Sequence, residues 1–174
     1  MWVFGYGSLI WDPGFAIAER QVARLEGWQR RFCMWSVHYR GTPEVPGLVL
    51  ALDRAAHGVC DGVALRVPAG QEAATLAYLR ERELISSAYE EAEVTVQLRD
   101  GRAVRALTYV INRDHAQYCG GMTPEAQAAV IVAATGLRGP NRDYLFATAQ
   151  HLADLGIADP DLAWLTQRVV EMAG

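Results

Sequence analysis

Strand-like and helix-like stretches are segregated along this chain, and their order restricts the fold more than any other feature. Residues 2–4, 22–28, 30–37, 48–52 and 59–67 are rich in branched and aromatic side chains, separated by glycine, proline or polar turns. Helical periodicity first takes over at residues 71–86. Residues 93–98 and 103–111 then flank Arg99-Asp100-Gly101-Arg102, a hairpin signal. After a polar loop at 112–121, the remainder reads as helical. Thr123 caps a helix with Pro124 at its first position, 137–143 is a turn-rich loop, and further helices cover 144–155 and 160 onward. Strands that do not alternate with helices cannot build parallel βαβ units. The predicted fold class is therefore α+β, with a mostly antiparallel or barrel-like sheet. With no repeat and no linker, the 174 residues are expected to form a single domain, 1–174.

Composition removes several function classes. Half of the residues are apolar and the formal charge is −4, which suits a compact fold and offers no basic stripe for nucleic acid or anionic membranes. All 16 basic residues are arginine. A chain without lysine has no Schiff-base lysine, no Walker-type phosphate lysine and no Ser-Lys pair. His38, His57, His115 and His151 are scattered, as are Cys33, Cys60 and Cys119, and no CxxC or HExxH occurs. Neither a metal site nor a disulfide framework is indicated. No basic leader precedes the first strand and no apolar run approaches ~20 residues, so a cytoplasmic protein is expected.

Two local patterns carry chemistry. The first is Phe4-Gly5-Tyr6-Gly7-Ser8-Leu9-Ile10-Trp11, where two glycines interrupt an extended run. It lacks the G-x-G-x-x-G of a dinucleotide fingerprint. A glycine bulge and an anion-binding turn with exposed amides are equally compatible with this spacing. The second is the helix Glu72 to Leu84. At about 100° per residue, Ala73, Leu76, Ala77, Leu79 and Leu84 define an apolar face, and Glu83 falls inside it. Glu81 and Arg82 project outward. A carboxylate on a core-facing stripe loses hydration and has its pKa raised, as suits a general acid/base at neutral pH. The alternative is a rim position with Glu83 paired to Arg80 one turn earlier.

Other candidates are weaker. Arg40 offers a cation for a substrate carboxylate or for an acidic neighbour, and Tyr118 and Tyr144 each offer a hydroxyl. Arg30 and Arg31 read as solvated or acid-paired. The cysteines read as small core residues, and no G-x-S-x-G supports a serine nucleophile.

Taken together, the opening Trp2-Val3-Phe4-Gly5-Tyr6-Gly7-Ser8-Leu9-Ile10-Trp11, Arg30-Arg31-Phe32 and His38-Tyr39-Arg40-Gly41 resemble the gamma-glutamylcyclotransferase superfamily. Tyr78-Leu79-Arg80-Glu81-Arg82-Glu83 followed by Tyr89, and Asn141-Arg142-Asp143-Tyr144-Leu145, extend the resemblance to its ChaC-like, glutathione-specific branch. The resemblance implies a mixed β-barrel with surrounding helices and an intramolecular cyclisation that releases 5-oxoproline and Cys-Gly from glutathione. It implies a substrate-binding loop at Tyr6, Gly7, Ser8 and Leu9, a catalytic glutamate at Glu83 and a site-lining tyrosine at Tyr118. Arg40 joins the substrate-binding candidates. No cofactor or metal is implied, and the expected partner is a small γ-glutamyl compound bound by a monomer or weak dimer. Leu84-Ile85-Ser86-Ser87-Ala88 stands where such chains carry glycines, which widens the expected substrates to another γ-glutamyl amine or dipeptide. A non-catalytic domain of the same fold would instead have its glutamate neutralised by a tight arginine pair.

Overall fold

The computed structural model describes all 174 residues. Five strands close a mixed barrel: β1 (Trp2–Gly5), β2 (Glu19–Ser36), β3 (Gly47–Arg66), β4 (Tyr89–Leu98) and β5 (Ala103–Ile111). Around the barrel the order is β1-β3-β2-β4-β5. β1 runs antiparallel to β3 and parallel to β5, and β4 and β5 form the hairpin expected around Gly101. The helices are α1 (Glu72–Glu83), α2 (Pro124–Ala133), α3 (Asn141–Asp154) and α4 (Pro160–Ala173). The α+β barrel class is the one expected. No helix is long and apolar enough to cross a membrane.

The chain divides into two compact units, the first comprising Met1–Arg30 with Ala51–Ala116. Its architecture follows from the two-residue period of β1. Phe4 joins a cluster with Ala23, Leu25, Leu52, Ala64, Val96, Leu98, Ala106 and Val110. Val3 points the other way, into a second cluster with Leu9, Val67, Leu79 and Tyr109. Leu79 belongs to α1, so this second cluster seats the helix beside the segment that follows β1. Fully burying each of these large side chains contributes about 1.5–3 kcal/mol.

Two long strands replace four shorter ones that the sequence suggests. Residues 22–28 and all of 30–37 but Val37 belong to the 18-residue β2, where Gly27 absorbs a positive φ of 82° without ending the strand. Residues 48–52 and all of 59–67 but Val67 likewise belong to the 20-residue β3. Between them, the stretch that opens on the carboxylate Asp53 and runs to Gly58 reads as a loop or turn. That carboxylate is instead buried in the strand and accepts a 2.7 Å bond from Arg113 Nε. An ion pair between elements distant in sequence has made a mid-strand charge tolerable.

The second unit comprises Arg31–Leu50 with Gln117–Gly174. Thr123 caps α2 as expected, accepting from the Ala126 amide, and Asp159 caps α4 through the Leu162 amide. The 137–143 loop is more ordered than its turn residues suggest. β6 (Thr135–Gly136) and β7 (Gly139–Pro140) pair antiparallel within it, and α3 begins at Asn141 rather than at Tyr144. The buried Asn141 side chain accepts from the Leu48 amide at 2.7 Å and donates to the Leu48 carbonyl at 2.8 Å.

Candidate active site

The first unit brings the opening loop and the end of α1 together. After β1, the chain makes a short 3₁₀ turn at Ser8–Ile10. Ile10 donates to the Gly7 carbonyl, and Trp11 and Asp12 donate to the Ser8 carbonyl. Those bonds use the amides on the far side of the turn, so the amides of Gly7, Ser8 and Leu9 form its open N-terminal end. The glycine-rich segment is therefore a turn rather than a bulge continuing the strand.

Two arginines clamp this loop. Arg30, only 5% exposed, donates from Nη1 to the carbonyls of Tyr6 (3.1 Å) and Asp61 (2.9 Å). Tyr6 in turn donates its hydroxyl to the Tyr109 carbonyl at 2.7 Å. Arg30 is thus a buried strut beneath the loop, its charge also acting on the Asp61 carboxylate, rather than a solvated surface residue. Its place in the strand alternation with Phe32 and Met34 was the available signal. Replacing Arg30 by methionine strands two inward carbonyls. A loss of roughly 2–4 kcal/mol in unfolding free energy is expected, read from the urea midpoint.

The second clamp is Arg82. Its Nη1 donates to the carbonyls of Asp12 (2.7 Å) and Pro13 (3.4 Å) and to the Tyr78 hydroxyl (3.1 Å). Nη2 donates to Ser8 Oγ at 3.0 Å, while Nε lies 3.3 Å from Glu83 Oε1. The outward direction expected for Arg82 depends on an apolar face that includes Ala73 and Ala77. Both alanines are exposed, and the buried side of α1 runs through Thr75 and Leu79. That rotation turns Tyr78 and Arg82 toward the loop and keeps Glu83, four residues after Leu79, on the inner side. The Tyr78–Arg82 spacing of one turn was the missed signal.

Glu83 is 17% exposed. Burial pushes its carboxyl above the usual carboxylate range, and the Arg82 charge opposes this without cancelling it. Arg80, the alternative partner, is committed elsewhere. Its Nε and Nη2 donate to both oxygens of Glu91 at 2.9 and 2.8 Å. Tyr109 donates its hydroxyl to Glu91 at 3.3 Å. Burial raises the Tyr109 phenol, and the charges of Glu91 and Glu83 raise it further. Glu81 is exposed, as expected.

Arg40 and Tyr118 belong to the second unit. Arg40 Nη1 donates to the carbonyls of Arg138 (2.7 Å) and Pro140 (3.2 Å), and its guanidinium lies over the Tyr144 ring. Burial lowers its pKa, while Asp143 works in the opposite direction. Tyr118 is half-buried and bridges to Met34, with its hydroxyl against Gly120.

Acyl-enzyme chemistry finds no support in this arrangement. The Ser8 hydroxyl faces a cation rather than the base that would activate it. Cys33 and Cys60 are buried thiols, and burial pushes Cys119 up to about 11. No three His, Cys, Asp or Glu side chains converge as a metal site would require.

Comparison with known proteins agrees with the barrel. The family model described as ChaC-like protein matches residues 1–172. The glutathione-specific gamma-glutamylcyclotransferase of Escherichia coli K12 is 37% identical over 162 residues, covering 93% of this chain and 69% of that protein. Glutathione-specific gamma-glutamylcyclotransferase 1 of Homo sapiens is 36% identical over 154 residues, covering 87% and 69%. A crystal structure of a selenomethionine-labelled gamma-glutamylcyclotransferase specific to glutathione from yeast superposes with a TM-score of 0.89 at 26% identity. It covers 98% of this chain and 96% of that one. The chain belongs to the ChaC-like family of glutathione-specific gamma-glutamylcyclotransferases.

Proposed function

We propose that the protein is a glutathione-specific gamma-glutamylcyclotransferase in which Glu83 acts as acid and base beside the Gly7–Ser8 turn. The observation that carries the residue assignment is a desolvated carboxylate, raised above its usual range, linked through one guanidinium to that turn. Such a carboxylate is suited to exchanging a proton at neutral pH.

The reaction is a lyase step in which no water is consumed. The α-ammonium of the γ-glutamyl group cannot attack until it loses a proton, which Glu83 accepts. The freed amine attacks its own γ-carbonyl, and a five-membered ring closes. The C–N bond to cysteine then breaks, Glu83 returns the proton to the departing nitrogen, and the second proton that the ring nitrogen sheds on becoming an amide ends on the released amine, which leaves as an ammonium. The products are 5-oxoproline and Cys-Gly. Because nucleophile and electrophile sit on one molecule, folding the substrate into the attacking geometry supplies much of the rate.

Tyr6, Gly7, Ser8 and Leu9 are assigned to binding the γ-glutamyl end. Amides at the open end of the turn suit its α-carboxylate or the developing oxyanion. Arg40 and Tyr118 are assigned to substrate binding as well, with Arg40 suited to a carboxylate. The protein is taken to act in the cytosol as a monomer or weak dimer, without a cofactor. Incubation with glutathione, following 5-oxoproline and Cys-Gly by chromatography, tests the assignment. Equimolar release of both products is expected. Release of free glutamate instead would mean hydrolysis and overturn it.

A further inference from the structure

We propose that Arg82 is a positioning residue: anchored to the loop after β1, it holds a fixed cation beside the carboxylate of Glu83 and so orients the base relative to the substrate-binding segment. The inference rests on Glu83 being the acid/base of the proposed reaction. Three features of the geometry carry it.

The guanidinium is held from several directions at once. Its two terminal nitrogens engage Ser8 Oγ, the carbonyls of Asp12 and Pro13 and the hydroxyl of Tyr78. A planar fork engaged at that many points has little rotational freedom left, so its third nitrogen is a fixed cation rather than a mobile surface charge. That nitrogen, Nε, is the one facing Glu83.

The contact to Glu83 is also loose. At 3.3 Å through a single nitrogen it falls short of the bidentate pairing that Arg80 makes with Glu91, so it orients the carboxylate without locking it. A base that must take up and return a proton needs this arrangement, since a tight fork would hold it ionised.

Finally, the groups beside Glu83 bear on its charge. From β5 the Tyr109 phenol faces it, with the Arg80–Glu91 pair beyond. On the loop side, the Ser8 hydroxyl and the carbonyls of the exposed Asp12 and of Pro13 are all held by Arg82. Arg82 is the cation that opposes the effect of burial on Glu83.

The test separates charge from geometry. In R82Q, kcat for glutathione is expected to fall about 10- to 100-fold, the cost of a slightly misplaced catalytic group. The acid limb of kcat/KM should also move to higher pH, because the charge that favours ionised Glu83 is gone. In R82K the charge remains, so the limb should stay near its original pH while kcat still falls, since an ammonium cannot span Ser8, Asp12 and Glu83. Wild-type kcat with an unmoved limb in R82Q overturns the proposal. If R82Q does not fold, wild-type kcat in R82K overturns it. Carboxyl ¹³C NMR titration of Glu83 in native protein and R82K or R82Q reads the same coupling without turnover. Full activity of Glu83→Gln would defeat the catalytic assignment, whereas an unchanged Glu83 titration in R82Q would defeat only the role of Arg82.

Discussion

Glu83→Gln is expected to lower 5-oxoproline release from glutathione by roughly 10²–10⁴-fold, the usual contribution of a positioned acid/base. Glutamine preserves the shape and the hydrogen-bonding reach of the side chain but cannot carry the proton. The loss should fall on kcat, with KM changing little, because the carboxylate acts on the proton transfer more than on binding. The same variant makes a second, opposite prediction for stability. Burial raises the folded-state pKa of Glu83 above the ordinary 4.5. Below that ordinary value both folded and unfolded chains are protonated there, and Glu83 imposes no penalty. As pH rises through 4.5 toward the raised value, the unfolded chain releases its proton first, and folding loses stability. At neutral pH the native carboxylate is therefore a liability that glutamine removes. Thermal melts at pH 7 should show the variant at least as stable as the native protein, with the difference shrinking toward pH 4. Near-native turnover in the glutamine variant would sink the mechanism.

Asn141→Ala is expected to have the largest effect on folding, about 2–5 kcal/mol. In the second unit this side chain is fully buried, and both of its polar atoms serve one residue. Leu48 N–H donates to Oδ1 and Nδ2 donates to the Leu48 carbonyl. Alanine removes both partners and leaves two backbone groups inside with no water to replace them. The melting temperature should drop by roughly 4–20 °C. Asn141→Asp keeps the acceptor, loses the donor and buries a charge, so it should be no better than alanine. A melting temperature within a degree or two of native in Asn141→Ala would show that solvent reaches Leu48 and that this bond pair contributes little.

These two positions differ in how far the sequence reveals them. Glu83 is legible because a carboxylate inside a helical apolar stripe is anomalous by local rules alone. Asn141 is not, since a polar residue after Gly-Pro reads as an ordinary turn. Its value lies in a partner 93 positions earlier. Asp53 misleads for the same reason. Its charge looks like the end of a strand until Arg113, 60 positions later, arrives to neutralise it. Nothing local names the partners of Arg30 or Arg82, yet each holds backbone carbonyls of the opening loop.

The sequence by itself determined the α+β class, the hairpin around Gly101 and the cap of α2, and it singled out Glu83 as the carboxylate in an unusual place. Each of these depends on periodicity, propensity or turn chemistry within about a dozen residues. Only the tertiary structure decided that β2 and β3 run unbroken, that α1 is rotated toward Thr75 and Leu79, and that Arg82 links Glu83 to Ser8. Those outcomes depend on which distant group satisfies a buried charge or carbonyl, and local pattern holds no information about a partner that only folding brings near.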